Sequence, residues 1–278
     1  MRQVILHGHI FKNAGTTFDW SLKKNFGNGF LDHREDKLMR TEGRTHIAEL
    51  VNSRPALRAL SSHHMSRDLP SLPGVAFIQV YLLRHPVARL HSVYDFERTQ
   101  KGTTPGSKAA RSKTFADYVA WRMLPDVART IRNYQTLYLA GNHAATADSH
   151  IATIDFPEAM RTIQGDSLVG LVERYDESMV MLEEQLRPWF ADIDLSYVVQ
   201  NAGKSRKRGA ASHDVVARTL EELGDLQQTV IDQNSFDLAL YQLAGQRLQS
   251  RIDQIPGFER KLEAFRERCR RRRKLFSL

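Results

Sequence analysis

Short apolar runs separated by amphipathic stretches organise this chain. The run Val4-Ile5-Leu6 predicts a first strand over residues 4–9, after which a helical period takes over from Phe18 to Phe26. A second run, VAFIQVYLL over Val75–Leu83, is rich in strand formers and apolar enough for a central parallel strand. A shorter one at 169–172 predicts another buried strand. Helical patterning occupies 46–60 (interrupted at Pro55), 86–97, 115–123, 127–140, 176–189 and 213–226. Residues 25–32 read as a Gly/Asn-rich turn and 61–66 as a strand end or loop, while the polar, Gly- and Pro-containing stretch 99–113 reads as a mobile loop. Strands alternating with helices imply an α/β fold with a central parallel sheet and helices on both faces. Ligands in such folds bind at the C-terminal ends of the strands.

Two predicted strands end in anion-binding chemistry. The first runs into His9-Ile10-Phe11-Lys12-Asn13-Ala14-Gly15-Thr16-Thr17 just before a helix. Backbone N–H groups at a helix start and the helix dipole favour negative charge. Gly15 permits close approach, Thr16 and Thr17 add hydroxyls, and Lys12 adds a cation. A Walker A loop needs a Lys directly after its second Gly. Here Thr16 follows Gly15 and Lys12 precedes it, so the NTPase pattern is absent. The strand at Val75–Leu83 ends in Arg84-His85-Pro86, with Arg89, Ser92 and Tyr94 beyond. Pro86 suits the first turn of a helix, and an Arg and a Ser can grip one phosphate.

These motifs resemble those of PAPS-dependent sulfotransferases of the carbohydrate, heparan sulfate 2-O-sulfotransferase-like type. The loop resembles H-I-P-K-T-A-G-T-T, with Phe11 for Pro and Asn13 for Thr. Arg84 to Tyr94 resembles R-D-P-x-x-R-x-x-S-x-Y, with His85 for Asp. Asn133 to Gly141 resembles N-x-Q-T-R-x-L-x-G with Leu137 at the basic position, 169–178 resembles V-G-L-T-E-R-F-D-E-S, and Asn234 to Tyr241 resembles N-x-x-D-x-x-L-Y. Five motifs in order, from His9 to Tyr241, imply a P-loop-like three-layer fold. They also imply a sulfuryl donor, 3′-phosphoadenosine 5′-phosphosulfate (PAPS), as co-substrate and no metal. The resemblance assigns the 5′-phosphosulfate to Lys12, Asn13, Ala14, Gly15, Thr16 and Thr17, and the 3′-phosphate to Arg84 and Ser92. Lys204 and Arg206, in the basic stretch NAGKSRKRG, would supplement the nucleotide contacts, although a solvated charge run has the same composition.

Sulfuryl transfer requires removal of the acceptor proton, stabilisation of the leaving phosphate and alignment of the two substrates. Lys12 suits the second task as a catalytic cation, or serves only as a phosphate anchor. A His, with an ordinary pKa of about 6.5, suits the first. Aligning Ser62-His63-His64-Met65 with the family's S-G-H-F segment puts His64 on the base position, with His63 as the alternative. His7 and His9 share a strand face and, with His63 and His64, raise a metal reading, but the spacing lacks a clear zinc pattern.

Composition narrows the setting. The 278 residues carry a net charge of +8 and a single cysteine, Cys269, which excludes an internal disulfide framework. No apolar run reaches membrane-spanning length, and no signal-peptide pattern follows Met1-Arg2. These features lead us to expect a cytoplasmic protein, with membrane-peripheral attachment as a variant. Nine basic and three acidic side chains lie between Glu259 and Leu278, so most of the excess charge is local. This predicts a sulfotransferase domain over 1–255 and a basic helical tail over 256–278. The tail is either a solvated helix end or a contact for an anionic surface. The expected partner is a hydroxyl-bearing acceptor, with carbohydrate implied by the resemblance, and no specific nucleic acid; oligomeric state stays open. Two rival classes are an atypical P-loop kinase or NTPase and a non-catalytic binder built on the tail. The kinase needs a Mg²⁺-binding Asp after a strand, where this chain has Arg84.

Overall fold

A computed structural model describes residues 1–142, 148–200 and 212–275. The strands are β1 (Arg2–Gly8), β2 (Phe30–His33), β3 (Ala59–Ser62), β4 (Val75–Leu83) and β5 (Leu168–Leu171). All their pairings are parallel, in the order β2-β3-β1-β4-β5. The helices are α1 (Gly15–Phe26), α2 (Asp36–Glu42), α3 (Arg44–Ser53), α4 (Pro86–Thr99), α5 (Pro105–Ser112), α6 (Phe115–Arg122), α7 (Tyr134–Ala140) and α8 (Asp148–His150). They continue as α9 (Phe156–Gln164), α10 (Tyr175–Leu186), α11 (Ser212–Leu223), α12 (Gln227–Asp232), α13 (Ser235–Asp253) and α14 (Phe258–Leu275). The chain is thus an α/β protein with a P-loop-like three-layer arrangement.

The two-residue period of β1 builds both layers. Ile5 points into the larger core with Phe18 and Leu22 of α1, Leu240 of α13 and Phe265 of α14. Val4 and Leu6 point the other way, onto Met39 of α2 and Ile47 and Val51 of α3. A third cluster, with Leu90, Val93, Tyr118 and Val230, joins α4, α6 and α12 beside the sheet.

Register aligns the C-terminal ends of the central strands. Gly8 of β1 pairs with Ser62 of β3 and Tyr81 of β4, and Leu83 pairs with Leu171 of β5. The loop after β1, His63, Arg84 and Glu173 therefore all leave the same edge.

Three expectations are corrected. The stretch 99–113 contains helix α5, because Thr104 caps it by accepting from the Ser107 N–H at 3.2 Å and Pro105 opens its first turn. Strand β2 forms inside the expected turn, its Phe30 and Leu31 half-buried against the cores. Helix α14 is not a detached tail: Phe258, Leu262, Phe265 and Cys269 sit in the main core, and Arg268 grips buried Glu183 at 2.6 Å. Arg272 also pairs with Asp194, so part of the basic run is spent on internal contacts. No helix among the described residues is long and apolar enough to cross a membrane.

Candidate anion-binding site

The loop after β1 is short and tightly held. The His9 N–H donates to the Ser62 carbonyl at 3.0 Å, fixing the loop to the end of β3. Lys12 (φ 65°) and Ala14 (φ 60°) adopt left-handed backbone conformations. Such a conformation costs a non-glycine residue about 1–2 kcal/mol, and residues of this kind cluster at ligand clamps. Ala14 then accepts from the Thr17 N–H at 3.0 Å, and α1 begins at Gly15. The first N–H groups of a helix have no acceptor within it and present a positive end. No acidic residue occupies that first turn. A side chain at Gly15 would collide with His9, whose Cδ2 and Nε2 lie 2.3 and 2.4 Å from the position of a Cβ.

The remaining sequence motifs buttress this loop. Asn13, wholly buried, donates its amide to the Leu82 carbonyl at 2.8 Å and to Gln135 Oε1 at 2.6 Å. Gln135 in turn accepts from the Arg84 N–H at 2.9 Å and donates to the Arg84 carbonyl at 2.8 Å. Asp237 of α13 accepts from the N–H groups of Gln135 (3.1 Å) and Thr136 (2.8 Å) and from the Thr136 hydroxyl (2.7 Å). Across the same joint the Asn133 N–H donates to Asn234 Oδ1 at 3.2 Å, and Asn133 Oδ1 accepts from the Asp237 N–H at 3.1 Å. Arg89, buried under the Tyr134 ring, donates to the Phe11 carbonyl at 3.0 Å. The Asn13 side chain therefore faces inward, and only its backbone is available to a ligand.

Arg84 and Lys12 are brought together. The Arg84 guanidinium donates to the Lys12 carbonyl at 3.2 Å and stands 3.9 Å from Glu173. Burial raises the Glu173 pKa against the opposing pull of Arg84. The Lys12 ammonium lies over the Phe96 ring at 4.6 Å. Burial lowers its pKa, and the nearby Arg84 lowers it further. This concentration of cations at a strand edge is an environment for a polyanion. Ser92 lies half-buried on α4, and its hydroxyl makes no hydrogen bond among the described residues. Burial pushes His85, which caps α4, down to about 4.

The histidines separate into two groups. His7 and His9 direct their Nδ1 atoms to opposite oxygens of Asp19, each at 2.7 Å. Arg34 stands 3.5 Å from the same carboxylate. Burial pushes the Asp19 pKa up, yet His7 and His9 outweigh it and hold the acid well below the usual carboxylate range. His63 packs against His9 with ring centres 4.3 Å apart and the rings tilted by 54°, and donates Nδ1–H to the His9 carbonyl at 2.9 Å. A carbonyl only accepts, so neutral His63 keeps its lone pair on Nε2. His64 turns away toward Asp36, with Nε2 3.7 Å from the carboxylate, and lines a cavity of about 130 Å³ with Arg40, Arg67 and Gly141. Of the two candidates for the base, His63 is the one that touches the loop. Burial lowers the pKa of both.

Sequence reasoning missed the role of Asp19. Its signal was a lone acid four residues into a helix that follows two histidines of one strand face. Among the described residues, His7–His9–Asp19 and Glu42–His46–Glu49 each bring three donor atoms within 4.8 Å of one another. In the first, the carboxylate already engages Nδ1 of each imidazole and faces a guanidinium, so the three side chains form a hydrogen-bonded cluster.

Residues 193–200 run along α1 toward the loop. Asn25 donates to the Asp194 carbonyl at 2.8 Å, Ser21 to the Leu195 carbonyl at 3.2 Å, and the Gln200 N–H donates to Thr17 Oγ1 at 3.2 Å. Beside them a cleft of about 300 Å³ is lined by Thr16, Trp20, Lys23, Phe30, Asp32 and Gln200. Lys204 and Arg206 lie outside the described residues.

No family model matches the chain. It is 29% identical over 205 residues to an uncharacterized protein of Archaeoglobus fulgidus, a match that covers 72% of this chain and 79% of that protein.

Proposed function

We propose that this protein is a PAPS-dependent sulfotransferase that moves a sulfuryl group to an acceptor hydroxyl, with a carbohydrate as the acceptor class. The observation that carries the reading is the contact between the Arg84 guanidinium and the Lys12 carbonyl at 3.2 Å. It joins the loop suited to a 5′-phosphosulfate to the strand end suited to a 3′-phosphate.

In this reading the N–H groups at Gly15 and Thr16 and the Thr17 hydroxyl cradle the phosphosulfate. Arg84 and Ser92 hold the 3′-phosphate. The acceptor oxygen forms its bond to sulfur as the bond from sulfur to the bridging phosphate oxygen breaks. Lys12 balances the charge that develops on the leaving phosphate. A histidine takes the acceptor proton, and the product nucleotide is 3′,5′-adenosine bisphosphate. His63 is better suited than His64 to be that histidine, because its Nε2 lone pair is set by the Nδ1–H bond to the His9 carbonyl.

Transfer of radiolabelled sulfur from PAPS to a panel of sugars and glycosides tests the proposal. Label should appear in an acceptor without added metal and disappear in Lys12→Ala. Labelled product that forms equally with Lys12→Ala, or none with any hydroxyl compound, would count against it.

A further inference from the structure

His9 is 5% exposed, and its Nδ1 is committed to Asp19 at 2.7 Å. Its other nitrogen, Nε2, has no hydrogen-bond partner among the described residues. The ring lies against Gly15, with Nε2 2.4 Å from where a Cβ would stand. Gly15 is the first residue of α1, so the Nε2 edge of His9 flanks the helix terminus that the sequence marks as an anion cradle. A carboxylate only accepts, so the Nδ1 proton is fixed and any second proton must go to Nε2.

We propose that His9 is an anion-binding residue of the loop. The bound phosphosulfate or 5′-phosphate draws a proton onto Nε2, and the resulting imidazolium donates to it. The inference rests on the sulfotransferase reading for the ligand's identity. The balance is simple: one proton comes from solvent to Nε2, no covalent bond changes, and Asp19 supplies the compensating negative charge.

Four groups face His9. Asp19, from α1, accepts its Nδ1–H. His7, from β1, stacks beside it with ring centres 5.3 Å apart. His63, following β3, packs tilted against it at 4.3 Å, and Arg34, following β2, stands 3.5 Å from Asp19. Burial lowers the His9 pKa, and His7 and Arg34 add to that, against the pull of Asp19. Burial thus favours the neutral ring, and an anion beside Nε2 would pull the other way. His7 lacks this role: its Nδ1 also meets Ser61 Oγ at 3.1 Å, and it lies deeper, on the strand itself.

The test is calorimetric titration with 3′,5′-adenosine bisphosphate at pH 7.5 in two buffers of different ionisation enthalpy. The proposal expects the wild type to take up more protons on binding than His9→Gln, by about half to one per site. His63→Gln should keep the wild-type uptake. Asp19→Asn retains the imidazole but removes its counter-charge, and should bind with reduced uptake. Because each comparison is between variants, protons exchanged by the ligand itself cancel. Equal uptake in wild type and His9→Gln, with binding intact, would overturn the role of His9 and leave the sulfotransferase reading standing. Absence of binding in the wild type would remove that reading itself. Stoichiometric zinc in the purified wild type that is lost in Asp19→Asn would also overturn the hydrogen-bonded cluster.

Discussion

Asn13 and Gln135 meet at 2.6 Å in the interior, 122 positions apart in sequence. Through this contact the loop after β1, the Arg84 strand end and α13 become one rigid unit, because Gln135 also binds both backbone polar groups of Arg84 and reaches Asp237. Side-chain networks of this kind stabilise when complete and penalise when one member is lost.

Replacing Gln135 by Leu should therefore cost stability and function together. It strands one hydrogen of the Asn13 amide and both backbone groups of Arg84 in the interior, where each unsatisfied group costs about 1–3 kcal/mol. Urea unfolding should show a loss of at least about 3 kcal/mol on that basis, with weaker bisphosphate binding measured under conditions where the variant remains folded. Unchanged stability would mean that the joint is ornamental.

Gly15→Ala is predicted to separate binding from folding. The new methyl meets the His9 ring, which must swing away from Asp19 or push α1 outward. Bisphosphate affinity should fall at least about tenfold, equivalent to about 1.4 kcal/mol, while circular dichroism stays that of the wild type.

Removing α14 after residue 257 should unfold the protein rather than free a soluble catalytic body, because Phe265 is fully buried beside Tyr197 and the sheet core. The single change Phe265→Ala should cost about 3–5 kcal/mol, read from denaturant midpoints. A truncated chain that melts cooperatively at the wild-type temperature would restore the independent tail.

Acid should destabilise the fold before the carboxylates titrate. His85 is held at about 4 by burial, below the ordinary histidine value of about 6.5. The unfolded chain therefore binds the extra proton first, and stability falls as pH drops from about 6.5 toward 4, flattening below that. His9, His63 and His64 are lowered in the same direction. Asp19 acts in a lower window: its depressed pKa contributes stability above about 4 that is lost as pH falls further. Melting temperatures across pH 7.5 to 4 should decline for the wild type and decline less for His85→Gln. A flat wild-type profile would contradict the assignment.

Much of this architecture was legible in the residues. Strand β4 has the bounds that its apolar run implied, and the loop at Lys12 and Arg84 leave the same sheet edge as parallel topology requires. Helix α5 was not legible, because its Gly, Pro and Lys content matches a loop and only the Thr104 cap and the packing of Ala109 and Ala110 make it a helix. The α14 boundary was hidden for the opposite reason: its many arginines mask an apolar stripe at Phe258, Leu262, Phe265 and Cys269. Asp19 could not be assigned from spacing, since its role arises only when α1 folds back over β1. The divergence of His63 and His64 was likewise hidden, because it depends on the turn after β3, which sends one ring to His9 and the other toward Asp36.

The most direct measurement is calorimetric titration of the purified protein with 3′,5′-adenosine bisphosphate, ATP and AMP, each with and without Mg²⁺. A PAPS enzyme should bind the bisphosphate tightly and independently of Mg²⁺, and lose that binding at least about a hundredfold in Arg84→Ala, equivalent to about 2.7 kcal/mol. Preference for ATP with Mg²⁺, or bisphosphate binding that Arg84→Ala leaves intact, would contradict the account.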